Sequence, residues 1–196
     1  MKRCALVIHS INGNIYLMAQ AFRESLEKRS IDVRLYRVAD EDLHLSTNSD
    51  ENALEYYEDI IDLPLATAEN LRKADMIILG CPTMFGNVSA EMKAFMDSTL
   101  TLADGRELED KLFACFTSCR YSASEGSRAL DSMIYWAQNH AMLHIPFGFN
   151  MEVKGCDQPS HGLIHMAGHD GTVRPSALFG EEVDLYCNNL AAYIQE

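Results

Sequence analysis

The sequence predicts an α/β three-layer sandwich, in which a five-stranded parallel sheet carries helices on both faces. Strand-like apolar runs alternate with helix-like periodicity along all 196 residues, the pattern that right-handed β–α–β crossovers produce. Several of the strand-like runs are continuously apolar, as expected for strands buried on both faces. No repeat, low-complexity stretch or linker divides the sequence. We therefore expect one domain over residues 1–196 and the strand order 2-1-3-4-5.

The first helix lies between the two N-terminal strands. Residues 4–8 form a continuous apolar run, which predicts a buried strand. Apolar residues then recur at helical spacing from Ile15 to Leu26, which predicts an amphipathic helix. Residues 31–36 alternate between apolar and polar side chains, which is typical of a strand with one exposed face.

An acidic stretch separates the second strand from the third. It has no Lys or Arg between Val38 and Leu71, where a short helix ends, but it contains many Asp and Glu residues. We interpret it as an acidic surface excursion, with a docking surface for a basic partner as the alternative. The formal net charge of −13 repels phosphate backbones and anionic lipid surfaces. We therefore expect neither a nucleic-acid partner nor a membrane partner.

The second half of the chain continues the alternation of strands and helices. Ser89 is a suitable N-cap, because its hydroxyl can accept a hydrogen bond from a first-turn N–H group. The predicted elements are a third strand over 75–81, a helix from Ser89 to Thr99, a fourth strand over 112–118, a helix over 128–137, a fifth strand over 142–147, an irregular stretch over 148–175 and a last helix over 176–194. Ligands bind at the carboxyl ends of such strands, so the loops after strands one, three and four are the candidates for function.

Cysteine usage indicates a reducing location. The six cysteines show no CxxC motif, and Cys4, Cys81 and Cys115 fall within or at the end of apolar runs. Buried thiols of this kind behave as small apolar side chains. The first apolar run is too short for a signal peptide or a membrane span. We therefore expect a cytoplasmic protein.

The loop after the first strand, residues 10–15, is a candidate phosphate site. It contains one glycine, and it matches neither a Walker P-loop nor a GxGxxG fingerprint. Free N–H groups and the helix dipole at a helix N-terminus favour an anion, so this neutral loop suits a monophosphate. An ordinary capped turn is the alternative.

The loop after the third strand, residues 82–87, is a candidate site for a flat ring. It is apolar and aromatic, and the backbone near Gly86 and Asn87 could meet the polar edge of such a ring. A loop that packs on its own core is the alternative.

Residues 82–97, which read PTMFGNVSAEMKAFMD, resemble the flavin loop and the following helix of WrbA-type NAD(P)H:quinone oxidoreductases. These are FMN enzymes of the flavodoxin-like superfamily. The resemblance extends to residues 10–15, 116–118, 140–142 and 166–176, and so spans nearly the whole chain. It implies a flavodoxin-like sandwich and two-electron transfer from NADH or NADPH to a quinone or similar acceptor. A flavodoxin-type electron carrier, or a family member that has lost FMN, is the alternative.

The resemblance also implies which residues bind FMN. The phosphate would be held by Ser10, Ile11, Asn12, Gly13, Asn14 and Ile15. The ribityl chain and isoalloxazine would be lined by Pro82, Thr83, Met84, Phe85, Gly86 and Asn87, and the third flavin loop would add Thr117, Ser118, Cys119 and Arg120. His140 matches a histidine near the flavin and the substrate cavity, and it is the candidate catalytic residue, as a donor to a quinone oxygen. Family members usually form tetramers from dimers, so a homodimer or homotetramer is expected.

The third flavin loop departs from the family pattern. Side chains stand at residues 118–126, where the family is rich in Thr and Gly. Arg120 would then face the pyrimidine edge of the flavin; the alternatives are that it points to solvent or pairs with Glu125. Cys119, beside this cation, could carry a thiol of lowered pKa, and an inert thiol is the alternative.

Three histidines near the C-terminus, His161, His165 and His169, repeat every four residues. On a helix, that spacing would align three possible metal ligands. Gly162 and Gly168 argue against a helix. We therefore expect a loop and no metal site.

Overall fold

The structure is a computed structural model, and it describes residues 1–48, 51–148 and 154–195. Its strands are β1 (Arg3–Ile8), β2 (Asp32–Arg37), β3 (Met76–Pro82), β4 (Leu112–Cys119), β5 (Leu143–His144) and β6 (Leu163–Met166). Its helices are α1 (Asn14–Lys28), α2 (Leu43–Asn48), α3 (Glu51–Leu54), α4 (Tyr57–Ile61), α5 (Ala68–Arg72), α6 (Ala90–Ser98), α7 (Leu100–Asp104), α8 (Ala123–Asn139) and α9 (Ala177–Gln195).

The described strands form one parallel sheet in the order β2-β1-β3-β4-β5, and β6 also pairs with β4. Strand β1 lies between β2 and β3, with Leu6 opposite both Leu35 and Ile78. Strand β4 continues the sheet beyond β3, with Ile78 opposite Ala114. The predicted α/β class and the order 2-1-3-4-5 are confirmed.

The outer edge of β4 is shared by two short strands. Strand β5 pairs with the first two residues of β4, and β6 pairs with its last four. The chain leaves the sheet after Ile145, whose N–H donates to the Phe113 carbonyl at 2.9 Å, and returns at Leu163. The prediction of one strand over 142–147 followed by an irregular stretch over 148–175 is therefore wrong in this detail.

Strand β6 also determines where the three repeated histidines lie. His165 is within this strand, and His161 and His169 lie beyond its two ends. Extended backbone rises about 3.3 Å per residue, so positions four apart are about 13 Å apart, too far to share an ion. His165 is buried, and its Nε2 lies 2.7 Å from the Val173 carbonyl oxygen. The loop expected here contains a strand.

Each face of the sheet carries an apolar layer. In β1, Cys4, Leu6 and Ile8 pack with residues of α1 and α9, whereas Ala5 and Val7 pack with residues of α6 and α8. Burying one large apolar side chain contributes about 1.5–3 kcal/mol, so these layers hold the strand ends in place. Among the described residues, no helix combines the length and the apolar character needed to cross a membrane.

The acidic stretch folds into the short helices α2–α5 between β2 and β3. Helix α5 begins with a capping box, in which the Asn70 N–H donates to Thr67 Oγ1 and the Thr67 N–H donates to Asn70 Oδ1. The ring of Tyr56 lies against Gly13, where an added Cβ would be 2.2 Å from Cδ2 of the ring. Part of the acidic stretch therefore packs on the loop after β1.

Candidate functional site

The carboxyl ends of β1, β3 and β4 open into a cavity of about 520 Å³, which we call the strand-end cavity. Sites for small molecules and cofactors have volumes of about 300–1,000 Å³. The predicted binding residues that line it are Ser10, Ile11, Asn12, Asn14, Ile15, Pro82, Thr83, Met84, Phe85, Ser118, Cys119 and Arg120. Four residues outside the predicted binding set, from the segments 118–126 and 166–176 of the family resemblance, also line it: Tyr121, Glu125, Ala167 and Gly171.

The other predicted binding residues are outside the cavity lining: Gly13, Gly86, Asn87 and Thr117. Thr117 is fully buried, and its hydroxyl donates to the Cys81 carbonyl at 2.7 Å and lies 2.8 Å from Thr83 Oγ1. Asn87 turns towards α8, where its Oδ1 accepts from the Ser132 hydroxyl at 2.9 Å. The side chains of Thr117 and Asn87 therefore hold the loop after β3 in place.

The loop after β1 presents an open helix N-terminus to the cavity. Gly13 is the N-cap of α1, with a left-handed φ of 83° that glycine adopts without strain. Gly13 has no side chain with which to cap this helix, whereas Ser89 and Ser122 cap α6 and α8. The Tyr16 N–H donates to Ser10 Oγ at 3.2 Å. The earlier N–H groups of the first turn are therefore available to an anion.

Arg174, which lies before α9, ties this loop to the acidic stretch. Its guanidinium lies over the Tyr56 ring, 5.1 Å from the ring centroid, and donates to Glu55 Oε2 at 2.9 Å. It also donates to Asn14 Oδ1 at 3.1 Å and to the Asn12 carbonyl. These partners are far apart in the chain, so no local sequence pattern predicts this contact.

The loop after β3 is a tight turn at the mouth of the cavity. Two backbone hydrogen bonds of 2.8 and 3.0 Å join Met84 and Asn87 across the turn. The central residues, Phe85 and Gly86, have φ angles of 50° and 72°. The Phe85 ring is fully exposed. An apolar side chain and an aromatic ring therefore border the mouth, which suits a flat ligand.

The end of β4 supplies a buried thiol and an exposed cation. Burial raises the pKa of the Cys119 thiol, which donates to the Ser122 carbonyl at 3.3 Å and lies 3.3 Å from Met166 Sδ. The hypothesis of a thiol with lowered pKa is therefore wrong, and an inert Cys119 thiol stays a prediction. Arg120 lines the cavity, and within the described part of the chain it pairs with no carboxylate. The alternative in which it pairs with Glu125 is also wrong.

His140 lies at the opposite edge of the sheet. It follows α8 and precedes β5, so it is near the amino ends of the strands, whereas the strand-end cavity is at their carboxyl ends. Its Nε2 is 3.0 Å from Thr99 Oγ1, which accepts from the Trp136 indole at 2.9 Å, and burial lowers its pKa. The expected place beside the flavin is therefore wrong within one chain. Its catalytic role stays a prediction that requires a second chain.

His9, directly before the loop after β1, is a buried polar residue that sequence reasoning missed. Its Nδ1 lies 2.8 Å from Ser89 Oγ, and its Nε2 lies 3.0 Å from Asp40 Oδ2. One ring nitrogen and the carboxylates of Asp40 and Glu91 fall within 4.8 Å of one another, as metal ligands do. Both ring nitrogens already have hydrogen-bond partners, so the cluster is satisfied without an ion. It ties the end of β1 to the start of α6.

Comparison with known proteins gives consistent results at the levels of family, sequence and fold. A model of the family described as NADPH-dependent FMN reductase matches residues 5–154. The chain is 34% identical over 180 residues to an NAD(P)H dehydrogenase (quinone) of Syntrophobacter fumaroxidans, covering 87% of this chain and 86% of that protein. It is 31% identical over 189 residues to Protoplast secreted protein 2 of Saccharomyces cerevisiae, covering 91% and 90%. The solved structure of a flavodoxin, WrbA-like protein from Agrobacterium tumefaciens has the same fold, with a TM-score of 0.66, 20% identity and coverage of 100% and 98%.

Proposed function

The chain belongs to the NADPH-dependent FMN reductase family, and on this basis we propose that it is a single-domain FMN enzyme that transfers two electrons from NADH or NADPH to a quinone or similar acceptor. The observation that carries this proposal is the strand-end cavity, which an uncapped helix N-terminus and an apolar loop both line. Relatives named NAD(P)H dehydrogenase (quinone) support the choice of donor and acceptor.

The residues of the cavity fit FMN. Gly13 and Gly171, both with positive φ, keep the backbone open at the N-terminus of α1, where added Cβ atoms would meet Tyr56 and Arg120. We assign the phosphate to residues 10–15, because the first-turn N–H groups can bind an anion there. We assign the flat ring to the space between residues 82–85 and 118–120, which line the same cavity.

The chain itself binds and orients the cofactor. When bound, FMN supplies the redox chemistry, taking a hydride from the nicotinamide and passing two electrons to the acceptor. The Thr117 hydroxyl, held by Cys81 and Thr83, fixes the separation of the two loops beside the ring. Met84 and Phe85 border one side of the mouth and offer apolar surface to the ring. Cys119, whose thiol stays protonated because burial raises its pKa, adds no charge there.

A homodimer or homotetramer is part of the proposal. Phe85 is fully exposed at the mouth of the cavity, and a second groove of about 370 Å³ lies beside Trp136 and His140. This groove is bordered by Leu100 and Tyr135, each 66% exposed. Exposed apolar patches of this kind mark protein interfaces. A second copy of the chain is what would bring His140 to an acceptor.

A reducing compartment, with the cytoplasm as the expected location, also belongs to the proposal. All six cysteines lie in the described part of the chain as free thiols, and all but Cys156 are buried. Such thiols persist where glutathione and thioredoxin keep cysteines reduced.

Anaerobic stopped-flow spectroscopy of the purified holoprotein tests the function. We expect NADH or NADPH to bleach the visible flavin absorbance and benzoquinone to restore it. Because donor and acceptor would use the same face of one flavin in turn, steady-state double-reciprocal plots should be parallel. A flavin that dithionite reduces but neither nicotinamide reduces would identify an electron carrier and contradict the proposal. A colourless protein that takes up no added FMN would contradict it as well.

A further inference from the structure

The loop that we assign to the phosphate, Ser10–Ile15, contains no cationic side chain. A phosphate monoester carries a charge of about −1.5 to −2 at neutral pH. The protein around it has a formal net charge of −13. Backbone N–H groups and a helix dipole alone would bind the phosphate against this field. A cation near the loop would therefore strengthen phosphate binding.

One nearby arginine, Arg174, already has several partners. Its guanidinium contacts the Glu55 carboxylate, the Tyr56 ring and Asn14 Oδ1. Its charge is therefore balanced by a carboxylate, and it does not line the strand-end cavity. Its hydrogen bonds to Asn12 and Asn14 stabilise the conformation of the loop after β1.

Arg120 approaches the same loop from inside the cavity. An added Cβ at Gly171 would lie 3.4 Å from Nε and 3.5 Å from Nη2 of Arg120, and 3.2 Å from Nδ2 of Asn12. The Arg120 guanidinium and the Asn12 amide both lie within 3.5 Å of the same point, the position of that added Cβ, so the two groups are close to each other. The Gly171 carbonyl also accepts from Asn14 Nδ2 at 3.0 Å. Arg120 thus reaches from the end of β4 to the N-terminal end of α1.

We propose that Arg120 binds the phosphate of FMN, and so makes the cavity select FMN over uncharged riboflavin. This inference rests on the proposed FMN function. A guanidinium presents a planar set of N–H donors that matches phosphate oxygens, and it stays charged at all physiological pH values. Gly171 is required because a side chain there would occupy the space in which Arg120 and Asn12 meet. The position expected from the family resemblance, at the pyrimidine edge of the ring, is the competing assignment.

The experiment compares FMN and riboflavin binding by the full chain, using the quenching of flavin fluorescence, for the wild type and three variants. A charge-assisted hydrogen bond corresponds to about a 10- to 100-fold change in Kd. We expect Arg120→Ala to weaken FMN binding by at least about tenfold and to leave riboflavin binding within about twofold. Arg120→Lys should recover part of the loss. Arg34→Ala, which removes an equal charge on β2 outside the cavity lining, should change neither affinity.

Two results would overturn the proposal. If Arg120→Ala weakens FMN and riboflavin equally and also shifts the flavin midpoint potential, the guanidinium contacts the ring. If neither affinity changes, Arg120 points to solvent. A wild-type protein that binds neither flavin would instead refute the FMN function itself, so the two failures are distinguishable.

Discussion

Replacing Gly13 with alanine tests whether close packing shapes the start of α1. Gly13 has a φ of 83°, and an added Cβ would lie 2.2 Å from Cδ2 of Tyr56. Gly155 is the matched control, because its φ is 87° but the nearest atom to an added Cβ, Cδ2 of Leu178, is 3.9 Å away. The two substitutions share the backbone strain and differ in the steric contact.

The expected loss of stability follows from these two terms. A left-handed alanine costs about 1–2 kcal/mol, which is the whole effect expected for Gly155→Ala. At Gly13 the Tyr56 ring must also move, which adds about 1–3 kcal/mol of overpacking and weakens a cation–π contact with Arg174 worth about 0.5–1 kcal/mol. Gly13→Ala should therefore lower the free energy of unfolding by roughly 2–5 kcal/mol. It should also reduce FMN content, because the same loop is assigned to the phosphate.

Urea unfolding measures the stabilities, and the visible absorbance of the purified protein measures FMN content. In a Tyr56→Ala background, the cost of Gly13→Ala should shrink to that of Gly155→Ala, because the clashing ring is gone. The larger side chain of Gly13→Val should leave the protein colourless. Equal losses for the Gly13 and Gly155 variants, or full FMN content in Gly13→Val, would refute the reasoning.

Three other predictions concern buried groups. His9→Phe should lower the free energy of unfolding by about 2–4 kcal/mol, because Ser89 and the Asp40 carboxylate lose their shared partner. Urea unfolding measures this loss, with the exposed His44→Phe as the control. Equal losses for the two variants would contradict the prediction. The Cys119 thiol, whose pKa is raised by burial, should resist iodoacetamide in the folded protein at mildly alkaline pH. Mass spectrometry should find the half-buried Cys156 alkylated first. Early labelling of Cys119 would contradict the prediction that its thiol is inert. Burial lowers the pKa of His140 in the folded state, so the unfolded chain binds that proton more tightly and stability should fall as the pH drops below about 6.5. His140→Gln should flatten this dependence in urea unfolding at several pH values, and an unchanged slope would show that other groups control it.

The central strands are the part of the fold that the sequence predicts best. The apolar runs that became β1, β3 and β4 are long enough to be buried on both faces of a parallel sheet, so their identity does not depend on distant contacts. Strands β5 and β6 are two and four residues long, and β6 contains a histidine beside glycine-rich segments. These two strands form because the edge of β4 offers backbone hydrogen-bond partners, and not because of a local period of apolar residues. The same limit applies to α2–α5, which are too short to show an amphipathic repeat.

The candidate site divides along similar lines. The loops after β1, β3 and β4 are predictable, because the carboxyl ends of parallel strands meet at one edge of the sheet. The contacts of Arg174 and Gly171 with the loop after β1 bring together residues from opposite ends of the chain, and no local pattern reports them. A resemblance indicates which residues match those of a family, but it does not indicate whether they reach the site within the same chain. For this reason the resemblance places His140 beside a cavity that it does not reach within one chain.

In our proposal, the two arginines have different roles in how this acidic chain holds a phosphorylated cofactor. Arg174 is balanced by Glu55 and acts on the shape of the loop, so its charge adds little to the attraction of an anion. Arg120 has no carboxylate partner within the described part of the chain, and it lines the cavity directly. A loop built only from glycine and serine at the end of β4 would leave the open end of α1 as the main attraction for phosphate. In this proposal, the departure from the family pattern at Arg120 changes how the phosphate is held, because the guanidinium adds a charged donor beside the N–H groups of α1.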